Sequence, residues 1–167
     1  MKVGLVGYGK MGKIRDEAIK KHPNIELIAI YDNNNENIIP KNYISCDTFE
    51  ELLSLNIEAI FIATYVKFLA EYTIKALRAG KHVFCEKPPA INLEEMRLVI
   101  NEEKKSKKVL KYGFNHRFHY SVLEAKKLIE SGKLGKLLWI RGVYGKAGSI
   151  DFNINWRNYK KFSGGGI

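Results

Sequence analysis

The segment Lys2-Val3-Gly4-Leu5-Val6-Gly7-Tyr8-Gly9-Lys10-Met11-Gly12 decides the fold. Its first five residues form an apolar run that predicts a strand, and its glycines follow with the spacing G-x-G-x-x-G at the start of an amphipathic stretch. In that context Gly7 makes a tight turn, Gly9 lets the backbone approach a pyrophosphate, and Gly12 packs the helix on the strand. The free N–H groups of the helix start would bind the phosphates, with Tyr8, Lys10 and Met11 completing the loop. A plain turn before a helix remains the alternative.

The same alternation of apolar runs and amphipathic stretches continues to residue 114 and predicts a doubly wound parallel sheet of the α/β class. Thr48 and Asn92 each stand three residues before a Glu, the pattern of a capping box that opens a helix. Strands are predicted over residues 2–6, 26–31, 58–63, 82–85 and 109–114, and helices over 11–21, 67–79, from 48 and from 92.

The pattern changes after Asn115. A helix over residues 120–131 leads into a partly alternating strand over 137–144, typical of a sheet with one wetted face. We therefore predict a Rossmann domain over residues 1–117 and, over 118–167, the incomplete start of an α+β substrate and dimerisation domain with an open sheet.

The amino-acid composition and charge argue against several classes of function. Hydrophobic residues make up 46% and charged residues 28%, the balance of a globular chain, and no apolar run approaches the about 20 residues that span a bilayer. The net charge of +10 is spread over helix faces, so an anionic substrate or cofactor explains it better than nucleic acid. Cys46 and Cys85 are far apart and in no metal-ligand spacing, which favours reduced thiols in a cytoplasmic protein and no metal site.

Asp32 lies at the end of the second predicted strand, 20 residues after Gly12. A carboxylate there accepts hydrogen bonds from the adenine ribose hydroxyls and repels a 2′-phosphate, so the sequence favours NAD over NADP. A residue that only starts a loop is the alternative for Asp32.

Lys87 follows another predicted strand at the carboxyl edge of the sheet, where open α/β folds bind ligands. A lysine beside the cofactor can serve proton transfer, but from the residues alone a surface lysine is equally open. Pro88 and Pro89 end the strand, and either X–Pro bond could be cis.

Three further segments carry a resemblance to a known family. Together with Gly7-x-Gly9-x-x-Gly12, the runs Ala79-Gly80-Lys81-His82-Val83-Phe84-Cys85-Glu86-Lys87-Pro88 and Gly113-Phe114-Asn115-His116-Arg117-Phe118 resemble the Gfo/Idh/MocA oxidoreductases. The match continues through Gly132-Lys133-Leu134-Gly135 and Trp156-Arg157 to Gly164-Gly165-Gly166.

The resemblance implies a pyridine-nucleotide dehydrogenase of sugar or polyol hydroxyls, here a sugar of surface-polysaccharide biosynthesis. It implies that Lys87 is the catalytic lysine and that Thr64 and Glu86 help to hold the cofactor. It assigns substrate contacts to Lys87 and to Asn115, Arg117, Trp156 and Arg157, and implies a homo-oligomer for the full-length form.

Two departures from the family pattern stand out. The family's Thr-Pro-Asn-x-x-His segment is here Thr64-Tyr65-Val66-Lys67-Phe68-Leu69, so that only the threonine is retained. The family's Asp-x-Gly-x-His motif, whose histidine serves as an acid or base, would follow Gly166, and the chain ends at Ile167. On this basis we expect a truncated chain that binds cofactor without useful turnover.

Two other hypotheses remain open at this point. One is a non-catalytic NAD-binding module that acts as a sensor or partner subunit. The other is a basic interaction protein that keeps the fold without the cofactor.

Overall fold

A computed structural model of the protein describes residues 1–34, 36–143, 145 and 156–164. Its contacts divide the chain into two units, Met1–Gly113 with Trp156–Ile167, and Phe114–Asn155. The predicted boundary after residue 117 stays a prediction, and each unit is described by itself.

The first unit is built on one six-stranded sheet in the order β3-β2-β1-β4-β5-β6, in which every neighbouring pair is parallel. The chain therefore winds outward from β1 in one direction and returns to wind outward in the other. This is the doubly wound arrangement that the sequence predicts. The strands are β1 Lys2–Val6, β2 Glu26–Tyr31, β3 Ile44–Cys46, β4 Ala59–Ile62, β5 His82–Cys85 and β6 Leu110–Tyr112.

Helices cover the sheet, and their starts follow from local side-chain chemistry. The Thr48 hydroxyl accepts a hydrogen bond from the Glu51 amide at 3.1 Å, and the Asn92 side chain accepts one from the Glu95 amide at 2.8 Å, so both predicted caps are confirmed. The helices of this unit are α1 Lys10–Lys20, α2 Phe49–Ser54, α3 Val66–Arg78 and α4 Leu93–Ser106. Near the end of the chain follow a 3-10 turn Trp156–Asn158 and the short α6 Lys160–Ser163, whereas α5 Tyr120–Glu130 belongs to the second unit.

The core lies on both faces of β1. Val3 and Leu5 pack in one hydrophobic cluster and Val6 in the other, and all three are buried. Gly4 faces the cluster that contains Val6, Leu52 and Ile57. A Cβ on Gly4 would lie 2.9 Å from side-chain carbons of Leu52 and Ile57, so only glycine leaves room for them. A strand buried on both faces needs no polar alternation, which is why its sequence is a continuous apolar run.

The short strand β3 was not among the predicted strands. It spans only Ile44–Cys46 and pairs through all three residues with β2. A run this short, with a serine at its centre, has no periodicity of its own, and its strand geometry depends on the partner.

The second unit contains a 3-10 helix Asn115–Phe118 and α5 Tyr120–Glu130. The strand predicted over residues 137–144 is wrong for 137–143, where the backbone forms no strand, and Tyr144 lies outside the described residues. Leu138, Trp139 and Ile140 are 80%, 74% and 71% exposed, so the alternating apolar pattern has no sheet to face. Within residues 114–143 and 145 there is no strand with which it could pair.

Among the described residues, no helix combines the length and the apolar character needed to cross a membrane.

Candidate functional site

The site is built where β1 ends and α1 begins. The Gly7 amide donates to the Tyr31 carbonyl at 2.8 Å, which fixes the loop to the end of β2. Gly7 has a φ of +85°, and a Cβ there would lie 2.5 Å from the Ala63 carbonyl oxygen. Both the backbone angle and the close approach to the end of β4 therefore require glycine.

Gly9 and Gly12 have different surroundings. A Cβ on Gly12 would lie 2.0 Å from the Gly7 carbonyl oxygen, so this glycine is needed for the helix to pack against the loop. A Cβ on Gly9 would meet only the Asn37 amide nitrogen, at 4.0 Å, so the space beside Gly9 is open. The packing role predicted for Gly12 matches its close contact, whereas the approach of a pyrophosphate to Gly9 stays a prediction.

The start of α1 has the features of a helix end that attracts anions. Gly9 is its N-cap and provides no side-chain cap, and the first turn holds no acidic residue. The amide groups of this turn and the positive end of the helix dipole therefore face the open space beside Gly9. Lys10 is exposed and Met11 is half-buried at the same turn.

Tyr8 contributes to the loop in a way that the motif alone does not predict. Its side chain is 5% exposed, and its phenol donates to the Asp16 carboxylate at 2.8 Å. Burial and this hydrogen bond raise the pKa of Tyr8 to about 12, so the phenol stays protonated and remains a donor. With the ring turned into the protein, the Tyr8 backbone is the part that can meet a cofactor.

Asp16 is a buried acceptor for several donors. Besides Tyr8, the Tyr43 phenol donates to it at 2.6 Å and the Lys20 ammonium at 3.0 Å, although Asp16 is only 2% exposed. Burial alone would raise the pKa of Asp16, but the hydrogen bonds from Tyr43, Tyr8 and Lys20 outweigh it and lower the pKa. The carboxylate therefore stays charged and connects the glycine loop, α1 and the segment before β3.

Asp32 lies directly after β2, as predicted, and organises the loop that follows. One carboxylate oxygen accepts from the Asn34 amide at 2.8 Å, and the other accepts from the Tyr8 amide and from the Asn37 side chain at 2.9 Å. The carboxylate lines a groove of about 410 Å³, formed by Asp32, Asn34, Asn37, Ile39, Pro40, Lys41, Tyr43, Ser45, Cys46 and Asp47. Polar atoms dominate this wall of the site.

Thr64 follows β4 and lies beside the glycine loop. Its Cα is 3.2 Å from the position that a Cβ on Gly7 would take, and the residue is half-buried. Leu69, at the position where the family pattern has histidine, is fully buried in the core. This turn of α3 therefore packs against the sheet, and an apolar side chain suits it.

Lys87 follows β5 at the same edge of the sheet and is exposed. The peptide bond between Lys87 and Pro88 is cis. Glu86, directly before it, is 7% exposed, and its Oε1 accepts from the Nε of Arg15 at 2.7 Å and from the Nη2 of the same side chain. The carboxylate is thus held by α1.

The remaining predicted substrate contacts are spread over the chain. Asn115 and Arg117 lie in the 3-10 helix of the second unit, and both are exposed. Trp156 belongs to the first unit, where its ring meets that of Tyr65 edge-on at 5.1 Å between centroids. The Arg157 side chain lies outside the described part of the protein. The substrate roles of these residues stay predictions.

Sequence reasoning missed Arg15, Asp16 and Tyr43. One signal was present: Asp16 falls on the buried stripe of α1 between Gly12 and Ile19, and an acidic residue in such a stripe needs buried donors. Arg15 and Glu86 are 71 residues apart, and no local pattern could have paired them. In the described residues, no group of three or more His, Cys, Asp or Glu side chains could bind a metal ion.

Residues 1–114 match the family model described as "Oxidoreductase family, NAD-binding Rossmann fold". The myo-inositol 2-dehydrogenase of Thermotoga maritima is 32% identical over 144 residues, 81% of this chain and 42% of the relative. The glucose-6-phosphate 3-dehydrogenase of Bacillus subtilis is 30% identical over 173 residues, 98% of this chain and 49% of the relative.

Among solved structures, the scyllo-inositol dehydrogenase of Lactobacillus casei with bound NAD(H) and scyllo-inositol superposes with a TM-score of 0.75 at 29% identity. The superposition covers 81% of this chain and 42% of that one. The chain thus spans less than half the length of these relatives. Because the family model covers most of the chain and its Rossmann fold is the observed one, the protein belongs to the Gfo/Idh/MocA oxidoreductase family.

Proposed function

We propose that the protein binds NAD at the carboxyl edge of its sheet and serves the oxidation of a hydroxyl group on a sugar or polyol. The binding of NAD is supported by one observation, the different surroundings of two glycines in the β1–α1 loop. Gly12 is closed by packing, while Gly9 faces open space at an uncapped helix start. A pyrophosphate fits this combination of open space, free amides and positive dipole.

The preference for NAD over NADP rests on Asp32. A carboxylate offers about four lone-pair sites, and the three donors that reach Asp32 leave capacity for a ribose hydroxyl. A 2′-phosphate at the same place would meet a negative charge that Asn34, Asn37 and Tyr8 hold in position. Thr64, beside Gly7, would contact the middle of the dinucleotide.

The chemical step is assigned to Lys87. Bound NAD would supply the hydride acceptor. The Lys87 side chain, exposed at the end of β5, would hydrogen-bond the reacting hydroxyl and, as the neutral amine, take the proton of that hydroxyl. Such a proton acceptor is typically worth about 10²–10⁴ in rate.

The substrate is proposed by class only. The names of the relatives include a myo-inositol 2-dehydrogenase and a glucose-6-phosphate 3-dehydrogenase, which supports a sugar or polyol as the substrate. A sugar of surface-polysaccharide synthesis is the narrower proposal. Trp156 in its aromatic contact with Tyr65, and Asn115, Arg117 and Arg157, are the proposed substrate contacts. The proposal further includes a homo-oligomeric full-length form, no role for nucleic acid, and a cytoplasmic location, for which the two buried free thiols are suited.

Calorimetry with NADH and NADPH tests the cofactor proposal. We expect NADH to bind at least about tenfold more tightly than NADPH, which is about 1.4 kcal/mol. Asp32→Asn should reduce this ratio, because the amide carries no charge and supplies only one acceptor oxygen where the carboxylate supplies two. Binding of neither nucleotide would overturn the proposal, and preference for NADPH would overturn its NAD half.

The catalytic proposal is tested by NADH formation from NAD and a panel of polyols and sugar phosphates. Lys87→Met should lower the rate by about 10²–10⁴ and leave the NADH affinity within about twofold. Equal, measurable rates for both proteins would remove Lys87 from the chemistry. NADH binding without NADH formation from any substrate is the result expected of a chain without useful turnover, and a non-catalytic NAD-binding module would give it too.

A further inference from the structure

Glu86 is buried and paired within the protein. It is 7% exposed, and its Oε1 already accepts two hydrogen bonds from Arg15. A buried carboxylate is stable only when it is paired and hydrogen-bonded, and here the partner comes from α1, the helix whose start faces the phosphate site.

Arg15 is itself fixed on more than one side. Its guanidinium lies over the Phe84 ring, 4.8 Å from the centroid, and the Phe84 ring packs against that of Phe61 at 5.3 Å. The Arg15 side chain is 20% exposed, so most of it lies inside the protein. A planar guanidinium that both stacks and donates twice has little freedom to move.

Gly113 lies close to both Arg15 and Glu86. A Cβ at this position would lie 3.1 Å from Oε2 of Glu86 and 3.3 Å from Nη2 of Arg15. The end of β6 therefore approaches the ion pair closely, and the Gly113 amide donates to the Cys85 carbonyl at 2.9 Å. The pair is enclosed by α1, β5 and the residue that follows β6.

The position of this pair along the chain gives it a function. Glu86 directly precedes Lys87, and its amide donates to the Ile62 carbonyl at 2.9 Å. The backbone is thus fixed by β4, and the side chain by α1. The pair therefore joins the residue directly before Lys87 to α1.

We propose that Arg15 and Glu86 are positioning residues, which together hold Lys87 at a set distance from the phosphate-binding helix and so shape the nicotinamide half of the site. This inference rests on the proposed NAD binding, and it replaces a direct cofactor contact of Glu86 with an indirect role. The Asp32 carboxylate, proposed to meet the adenosine half, accepts from Tyr8, Asn34 and Asn37, so we expect that half not to respond to the pair.

The test separates the two halves of the dinucleotide. Arg15→Met removes the charge and both donors, and affinities are measured for NADH and for ADP-ribose, which lacks the nicotinamide. We expect Arg15→Met to weaken NADH binding by about tenfold and to leave ADP-ribose binding within about twofold. Arg78→Met is the matched control, because the Arg78 side chain is 66% exposed and pairs with Glu102 at 2.8 Å, away from Glu86.

A merely structural role gives a different result. If Arg15→Met weakens both ligands equally, or neither, the inference is overturned. Arg15→Lys keeps the charge but loses the forked donor geometry, so it should give an intermediate NADH affinity and remains informative if Arg15→Met does not fold.

A second measurement does not depend on the cofactor. Hydrogen exchange of the free protein should be faster in Arg15→Met than in wild type over residues 84–91 and unchanged over residues 26–31. Unchanged exchange at 84–91 would overturn the positioning role even if NADH binds. Should wild type bind neither NADH nor ADP-ribose, the proposed function fails, and the exchange measurement alone decides whether the pair positions Lys87.

Discussion

The phenol of Tyr8 donates a hydrogen bond to the Asp16 carboxylate at 2.8 Å, and this bond joins the glycine loop to the helix that follows it. The Tyr8 amide donates at the same time to Asp32, so one residue connects the buried acid of α1 with the acid after β2. The conformation of the loop between Gly7 and Gly12 is therefore held in part by a side chain that is buried in the protein.

Replacing Tyr8 by phenylalanine tests this dependence. The substitution removes a donor to a charged, buried acceptor, and we expect the free energy of unfolding to fall by about 1.5–3 kcal/mol. Tyr120→Phe is the control, because Tyr120 is 75% exposed. The measurement is urea unfolding, and equal stability of the two variants would contradict the expected role of the bond.

Acid should weaken the protein in part through Asp16. Its pKa is lowered in the folded state, so its contribution to stability is present above the ordinary pKa of an aspartate, about 3.9, and is lost as the pH falls through the lower folded value. Asp16→Asn removes this group from the titration. We therefore expect the free energy of unfolding to fall less steeply between about pH 5 and pH 2 in Asp16→Asn than in wild type. Parallel pH profiles would show that Asp16 titrates normally.

The two glycines beside the phosphate site should respond differently to alanine. Gly9→Ala places a methyl group in open space, so we expect its melting temperature to stay near that of wild type while NADH binding weakens by about tenfold or more. Gly12→Ala forces a methyl group against the Gly7 carbonyl and should cost about 1–3 kcal/mol or more in stability. Thermal unfolding and NADH titration of both variants check the pair. A Gly9→Ala protein that binds NADH normally would remove the pyrophosphate from this loop.

Trp156 can report on cofactor binding. Its ring contacts Tyr65, which follows Thr64 beside the glycine loop, so bound NADH should quench its emission and take up its excitation energy. The chain has two tryptophans, and Trp139→Phe leaves Trp156 as the only donor. We expect sensitised NADH emission to persist in Trp139→Phe. Its loss in that variant would place the reporter elsewhere.

The features that sequence predicted well are those set by neighbouring residues. The caps of α2 and α4 form because Thr48 and Asn92 stand three residues before Glu51 and Glu95, and that spacing brings cap and amide together in any helix. The glycine loop is predictable for the same reason.

The features that sequence missed depend on distant partners. Strand β3 has three residues and forms against β2, whereas residues 137–143 have a better strand pattern and form none among the described residues. The Arg15–Glu86 pair likewise joins positions that only the finished sheet brings together. A local sequence pattern shows that a segment can form a strand or that a side chain can form an ion pair. Whether the strand or the pair forms depends on a partner elsewhere in the fold.

Adjacent residues of α1 face different halves of the sheet. Arg15 reaches Glu86, directly after β5, and Asp16 reaches Tyr43, directly before β3, with β2, β1 and β4 between these strands. An engineer who grafts the β2–β3 connection from an NADP-preferring relative would therefore disturb more than the ribose wall. Unless the graft retains a tyrosine at position 43, the buried Asp16 carboxylate loses one of its donors, and the coenzyme swap also costs stability.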